Sequence, residues 1–110
     1  MENNIYIDTG KLFKVLSDPV RLQIVDLVSC KEMCACEILE YLSITQSTLS
    51  HHMKVLKECG LVSSRKDATW MYYSLNADVV GNLKSQFDKI TSDTSDCFCY
   101  TIKKECKNIK

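Results

Sequence analysis

The stretch QSTLSHHMKVLKECGLV, Gln46 to Val62, constrains the fold of this chain more than any other. Leu49, Met53 and Leu56 recur at helical spacing, so one face of a helix must be buried. Thr45 stands where an N-cap belongs and Gly60 where a helix ends. The opposite face carries Gln46, Ser47, Ser50, Lys54 and Lys57, with His51 at its border. It offers hydrogen-bonding groups and cations and no carboxylate. Those are the requirements for lying in a DNA major groove: short polar side chains near the N-terminus, cations for phosphates, no repelling acid. An ordinary amphipathic helix with a solvated face has the same pattern, so the neighbouring segments decide between the two.

Before this helix, Asp8 to Leu16 reads as a short helix behind a loosely held arm, residues 1–7. Asp18 caps a second helix with Pro19 at its first position. That helix runs to about Ser29, with Val20, Ile24, Leu27 and Val28 inward and Arg21 and Asp26 outward. Cys30 to Cys34 reads as a connection. A third helix follows, with Ile38, Leu39 and Leu42 inward and Glu37 and Glu40 outward. Ser43-Ile44-Thr45 is then a tight turn into the Gln46 helix, which makes the pair a helix-turn-helix.

After Gly60 the apolar pattern switches to alternation. Leu61 to Lys66 and Trp70 to Leu75 read as two strands around Asp67-Ala68-Thr69. A hairpin placed directly after such a helix is a wing, and Arg65 and Lys66 at its tip can reach phosphate or the minor groove. Cations there also discourage edge pairing of strands, which is the plainer role. Asn76 caps a last helix to about Ile90, whose stripe of Val80, Leu83, Phe87 and Ile90 suits a subunit interface or ordinary packing. The expected architecture is mainly α with a small β-hairpin, a winged helix-turn-helix in the order α-α-α-α-β-β-α. Residues 1–90 form one DNA-binding and dimerisation domain, and residues 91–110 form a tail rich in cysteine and lysine.

A chain of 110 residues suits one domain. Its core is small, and a homodimer sharing that core is a natural way to stabilise it. Net charge is zero, so any attraction to nucleic acid is local: Lys54, Lys57, Arg65 and Lys66 lie close in sequence. No signal peptide and no membrane-length apolar run is visible, so a cytoplasmic protein without membrane contact is expected. Seven cysteines in a reducing compartment point to ligands or redox sensors and not to structural disulfides. No nucleophile–base pair, glycine-rich phosphate loop or paired carboxylates are evident, so an enzyme is not expected.

Three segments, LSDPVRLQIV (Leu16 to Val25), STLSHHMKVLKECGLV (Ser47 to Val62) and RKDATWMYYSL (Arg65 to Leu75), together resemble the ArsR–SmtB family of winged-helix repressors. The resemblance spans roughly Lys11 to Leu83. It implies a homodimer that binds double-stranded operator DNA at an imperfect palindrome and leaves it when a metal or metalloid binds. Gln46, Ser47, Thr48, Ser50, His51, Lys54, Arg65 and Lys66 become the expected DNA contacts. Ala68 stands where the family wing often carries glycine.

The segment EMCACEI, Glu32 to Ile38, resembles the ELCVCDL segment of the arsenic- and cadmium-responsive branch. This places Cys34 and Cys36 on its two cysteines. Leu39 occupies the place where the arsenic-responsive form often has a third, so another residue must supply the missing sulfur. Cys97 and Cys99 in the tail are the first candidates and Cys30 is the second. The implied effector is As(III) or Sb(III), with Cd(II) or Pb(II) as the alternative.

Thiolates select soft ions, which agrees with that reading. On a regular helix, residues two apart diverge by about 200°, so two such sulfurs meet one ion only if the helix end unwinds. Ion binding is therefore expected to deform the start of the third helix. Cys34 and Cys36 as small packing residues, or as a thiol pair sensing oxidant or persulfide, remain the competing readings.

Overall fold

The computed structural model describes residues 2–92. Its elements are α1 (Glu2–Leu16), α2 (Pro19–Cys30), β1 (Met33–Cys34), α3 (Ala35–Tyr41), α4 (Gln46–Glu58), β2 (Val62–Asp67), β3 (Trp70–Leu75) and α5 (Ala77–Thr91). The strands form one antiparallel sheet in the order β1-β3-β2. The helix order and the wing agree with the sequence; the start of α1 and strand β1 do not.

Residues 2–7, expected as an arm, belong to α1. Ile5, Thr9, Leu12 and Leu16 continue one helical stripe with no proline to interrupt it, and Thr9 is buried at its centre. Strand β1 lies inside the expected connection, pairing Met33 with Tyr73 and Cys34 with Tyr72. Two residues carry no readable period, so only the tertiary pairing reveals it.

Local chemistry fixes the helix ends. The Asp18 carboxylate accepts from the backbone N–H of Val20 at 2.8 Å and of Arg21 at 3.4 Å, with Pro19 opening α2. Partial desolvation raises the Asp18 pKa, but those backbone bonds and the nearby His52 and Arg21 outweigh it and hold the group below the ordinary carboxylate value. At α4 the Thr45 hydroxyl accepts from the Thr48 N–H at 3.1 Å. At its far end Gly60 N–H donates to Lys57 O and Leu61 N–H to Leu56 O, both at 3.0 Å. That pair of bonds is a Schellman turn, and it needs the left-handed φ of +86° that Gly60 supplies.

The core gathers Ile24 and Val28 of α2, Met33 of β1, Ile38 of α3, Leu49, Met53 and Leu56 of α4, and Leu61 and Val62 leading into β2. Arg21 is not outward as expected. It is half-buried, donating from Nε to His52 Nδ1 at 3.1 Å and from Nη1 to Val15 O at 3.3 Å. This satisfies His52, a polar side chain buried on the inner face of α4.

The hairpin turn is the two-residue Ala68-Thr69, since Asp67 pairs with Trp70. Ala68 adopts φ 58°, a conformation that disfavours residues with a Cβ. Ala68→Gly should therefore stabilise the fold by about 0.5–1 kcal/mol, the strain relieved exceeding the added chain entropy. For a chain of this size that raises the thermal midpoint by a few degrees, which calorimetry will read; a lowered midpoint would contradict the assigned turn.

Candidate functional site: a cysteine pair beside a nucleic-acid face

The exposed face of α4 carries Gln46, Ser47, Thr48, Ser50, His51 and Lys54, all solvent-facing. The inner face, Leu49, His52, Met53 and Leu56, is buried. The two faces divide the side chains as the sequence pattern requires. His51 and His52 diverge as expected, one to solvent and one to the core.

The wing's cations are placed differently from the expectation. The tip is Asp67-Ala68-Thr69-Trp70, and Arg65 sits back from it, opposite Tyr72. Its guanidinium makes a forked pair with Glu32, Nε to Oε2 at 2.7 Å and Nη2 to Oε1 at 2.8 Å. It also lies 4.8 Å from the centre of the Tyr72 ring and 3.7 Å from the Asp67 carboxylate. The hydrogen bond from Arg65 is the main reason the Glu32 carboxyl lies below its ordinary range. Lys66 is exposed one residue nearer the tip.

The cysteine pair stands where β1 becomes α3. Cys34 is the N-cap of α3, with extended φ −85° and ψ 165°, and Cys36 is in the first turn. Because the cap residue lies outside the helix, the rotation argument for two regular helical positions does not apply. The sulfurs meet without unwinding, Sγ to Sγ at 2.7 Å. The expectation that the helix start must deform for the two sulfurs to converge is thereby corrected.

Glu37 completes the cap: its Oε1 accepts from Cys34 N–H at 3.0 Å. Glu37, read from the sequence only as outward, therefore turns back onto the helix start beside the pair. Lys31 lies 3.7 Å from its other oxygen. That backbone bond is the leading cause of a lowered Glu37 pKa. Cys34 is buried and Cys36 exposed. The hydrogen bond to Cys34 is the first cause that holds the Cys36 thiol above its ordinary value, partial desolvation the second.

Among the described residues, no group of three or more His, Cys, Asp and Glu side chains is placed to hold a metal ion. Cys30 is exposed at the end of α2, its thiol 3.7 Å from Asp26 O. Cys97, Cys99 and Cys106 lie outside the described residues. Cys59 packs against the core, as the sequence suggested. Sequence reasoning missed the Glu32–Arg65 pair; a lone acid beside EMCACEI and a lone arginine on a strand give no signal of it.

Comparison with known proteins places this geometry. The family described as bacterial regulatory protein, arsR family, matches residues 18–64. An arsenical resistance operon repressor of Staphylococcus xylosus is 42% identical over 102 residues, covering 92% of this chain and 98% of that protein. The protein of the same name from Staphylococcus aureus is 40% identical over 98 residues, covering 89% and 94%. Among solved structures, an ArsR-like transcriptional regulator from Rhodococcus sp. RHA1 superposes with a TM-score of 0.75 at 21% identity, over 94% of this chain and 97% of that one. At that identity the likeness concerns the fold.

The lowered Glu37 pKa has a consequence for stability. A carboxyl whose folded pKa is depressed stabilises the fold fully above its unfolded pKa, about 4.3. The contribution disappears as pH falls through the folded value. Glu37→Gln should flatten the acid limb of a thermal-midpoint profile between about pH 5 and 3 relative to the parent, while Glu40→Gln leaves it unchanged. Parallel parent and Glu37→Gln profiles would refute the assignment.

Proposed function

This chain belongs to the arsR family of bacterial regulatory proteins, and from that premise we propose that it is a transcriptional repressor whose operator affinity falls when a thiophilic metalloid, As(III) or Sb(III), binds Cys34 and Cys36. The fold and its relatives are those of DNA-binding regulators and not of enzymes. The observation that carries the effector reading is the 2.7 Å approach of the Cys34 and Cys36 sulfurs at the N-cap of α3. Relatives that span nearly the same length are named for arsenical resistance, which supports the metalloid class.

The chemistry is ligand exchange. Each thiol that binds arsenite transfers its proton to a departing hydroxide, which leaves as water, and an As–S bond replaces an As–O bond. Three such exchanges need three thiols. The described residues supply two, and the tail cysteines Cys97 and Cys99 are proposed to supply the third, with Cys30 second. With Cd(II) the same pair would release protons to solvent, so affinity would climb with pH. Arsenite exchange is proton-neutral and should show little such climb, which separates the two effectors.

On the DNA side, α4 is the proposed major-groove helix. Gln46, Ser47, Thr48, Ser50 and His51 face bases, and Lys54, Arg65 and Lys66 lie toward phosphate. Two such helices in a homodimer would read half-sites about one turn, ~10 bp, or a multiple apart. The sequence offers Leu12, Leu16, Leu83 and Phe87 of the first and last helices as an expected dimer surface. Leu83 is buried within the chain, and Leu12 and Leu16 pack on its own core. The large apolar groups left exposed on α1 and α5 include Ile7, Phe13, Phe87 and Ile90, with the Phe13 and Phe87 rings edge-to-face at 5.4 Å.

Two measurements test this. In operator titrations with arsenite, Cys34→Ser and Cys36→Ser should bind DNA as the parent does yet lose most of a release expected at about 5–150-fold. Cys59→Ser should respond normally. Full release by both variants would sink the proposed effector site. In sedimentation the parent should be dimeric at micromolar concentration and Phe87→Glu largely monomeric with its helix content kept; an unaltered dimer would move the interface elsewhere.

A further inference from the structure

The sheet places the cysteine pair and the wing in one row. Cys34 on β1 is opposite Tyr72 on β3, and Tyr72 is opposite Arg65 on β2. The Arg65 guanidinium lies over the Tyr72 ring at 4.8 Å. Glu32, two residues before Cys34, closes the row by clasping Arg65 with both oxygens at 2.7 and 2.8 Å. Of the wing's two cations, Arg65 is therefore tied to the segment that carries the sulfurs, and Lys66 is not.

We propose that Glu32 is a positioning residue for the wing: it couples Arg65 to the strand bearing Cys34, so that ion binding at Cys34 and Cys36 reaches the DNA-facing hairpin through the sheet. This rests on the reading of Cys34 and Cys36 as the effector site. The physical route is short. The two sulfurs already adjoin, and one ion ligated by both, with a third donor from outside the pair, fixes their separation and direction as the free thiols do not. Cys36 is held by the first turn of α3, whereas Cys34 belongs to a strand of two residues, the weakest element of the sheet. Displacement of Cys34 disturbs its partner Tyr72 across the sheet, and Glu32 holds the Arg65 guanidinium over that ring, so the change is passed to the wing cation. A forked carboxylate–guanidinium pair transmits direction as well as charge, since both N–H bonds must stay in plane.

The pair is also suited to a clean test. Both side chains are substantially exposed, 54% for Arg65 and 34% for Glu32, so the contact adds little to stability. Glu32→Gln keeps the shape and loses the charge. The chain holds a single tryptophan, Trp70, on the first residue of β3 at the wing tip, which makes it an intrinsic reporter of wing displacement.

The experiment uses the full reduced chain and arsenite. Equilibrium dialysis reads arsenite binding, operator titration with and without arsenite reads coupling, and Trp70 fluorescence without DNA reads the wing. Glu32→Gln should bind arsenite as the parent does. Its operator-release ratio should fall to less than a third of the parent's, and its fluorescence response to arsenite should at least halve. Glu32→Asp, which keeps the charge on a shorter arm, should fall between the two. A Glu32→Gln variant that binds arsenite and shows the parent's release ratio overturns the link and leaves the cysteine reading standing. Loss of arsenite binding in that variant also overturns it, because Glu32 would then serve the sulfur site itself. A parent chain that binds no arsenite removes the effector reading, and the link falls with it.

Discussion

Burial of the inner face of α4 is the constraint on which the rest depends. Leu49, Met53 and Leu56 are almost completely withdrawn from water, and each such side chain contributes about 1.5–3 kcal/mol. No other orientation of α4 hides all three. Once they are inside, the helical period sends Gln46, Ser47, Ser50 and Lys54 outward as one face. The Schellman turn at Gly60 then aims the chain into β2, where Leu61 and Val62 join the same core. The proposed DNA-facing surface is thus a by-product of where the apolar residues must go. His52 is the one polar side chain on the inner face, and the bond from Arg21 fixes α2 against α4 at that point.

What the sequence made legible follows from this. Helices α2, α4 and α5 and the hairpin each carry several periods of apolar patterning and recognisable end signals, and each lies within a residue or two of its expected place. The sequence left unread the contacts between residues far apart in the chain. Arg21 meets His52 across 31 positions and Arg65 meets Glu32 across 33, and neither leaves a periodic trace. Both arginines look like solvated surface residues in the sequence. The beginning of α1 was missed for another reason: its stripe passes through a buried threonine, Thr9, which hydropathy reads as surface.

The cysteine pair shows how a motif can be read with the wrong geometry. Treating both as helical made their convergence appear to require unwinding. An N-cap residue has extended backbone and belongs to the preceding strand as much as to the helix, which is why the two sulfurs already touch. Glu37 is part of the same device, because its carboxylate satisfies the Cys34 N–H that the helix leaves unbonded.

That placement also decides where a ligand's free energy can act. A ligand shifts a conformational equilibrium only by the difference in its affinity for the two states, and useful coupling amounts to about 1–3 kcal/mol. Displacing α4 would expose Leu49, Met53 and Leu56, a loss of several kcal/mol that such coupling cannot supply. Freeing β1 gives up few backbone bonds to β3, at roughly 0.5–1.5 kcal/mol each, a sum within the available range. Met33 limits the movement, since it is buried in the core and keeps the strand's first residue anchored. The element soft enough to respond is therefore the one that carries a candidate ligand, and it abuts the wing strand β3 directly, whereas α4 is held by the core.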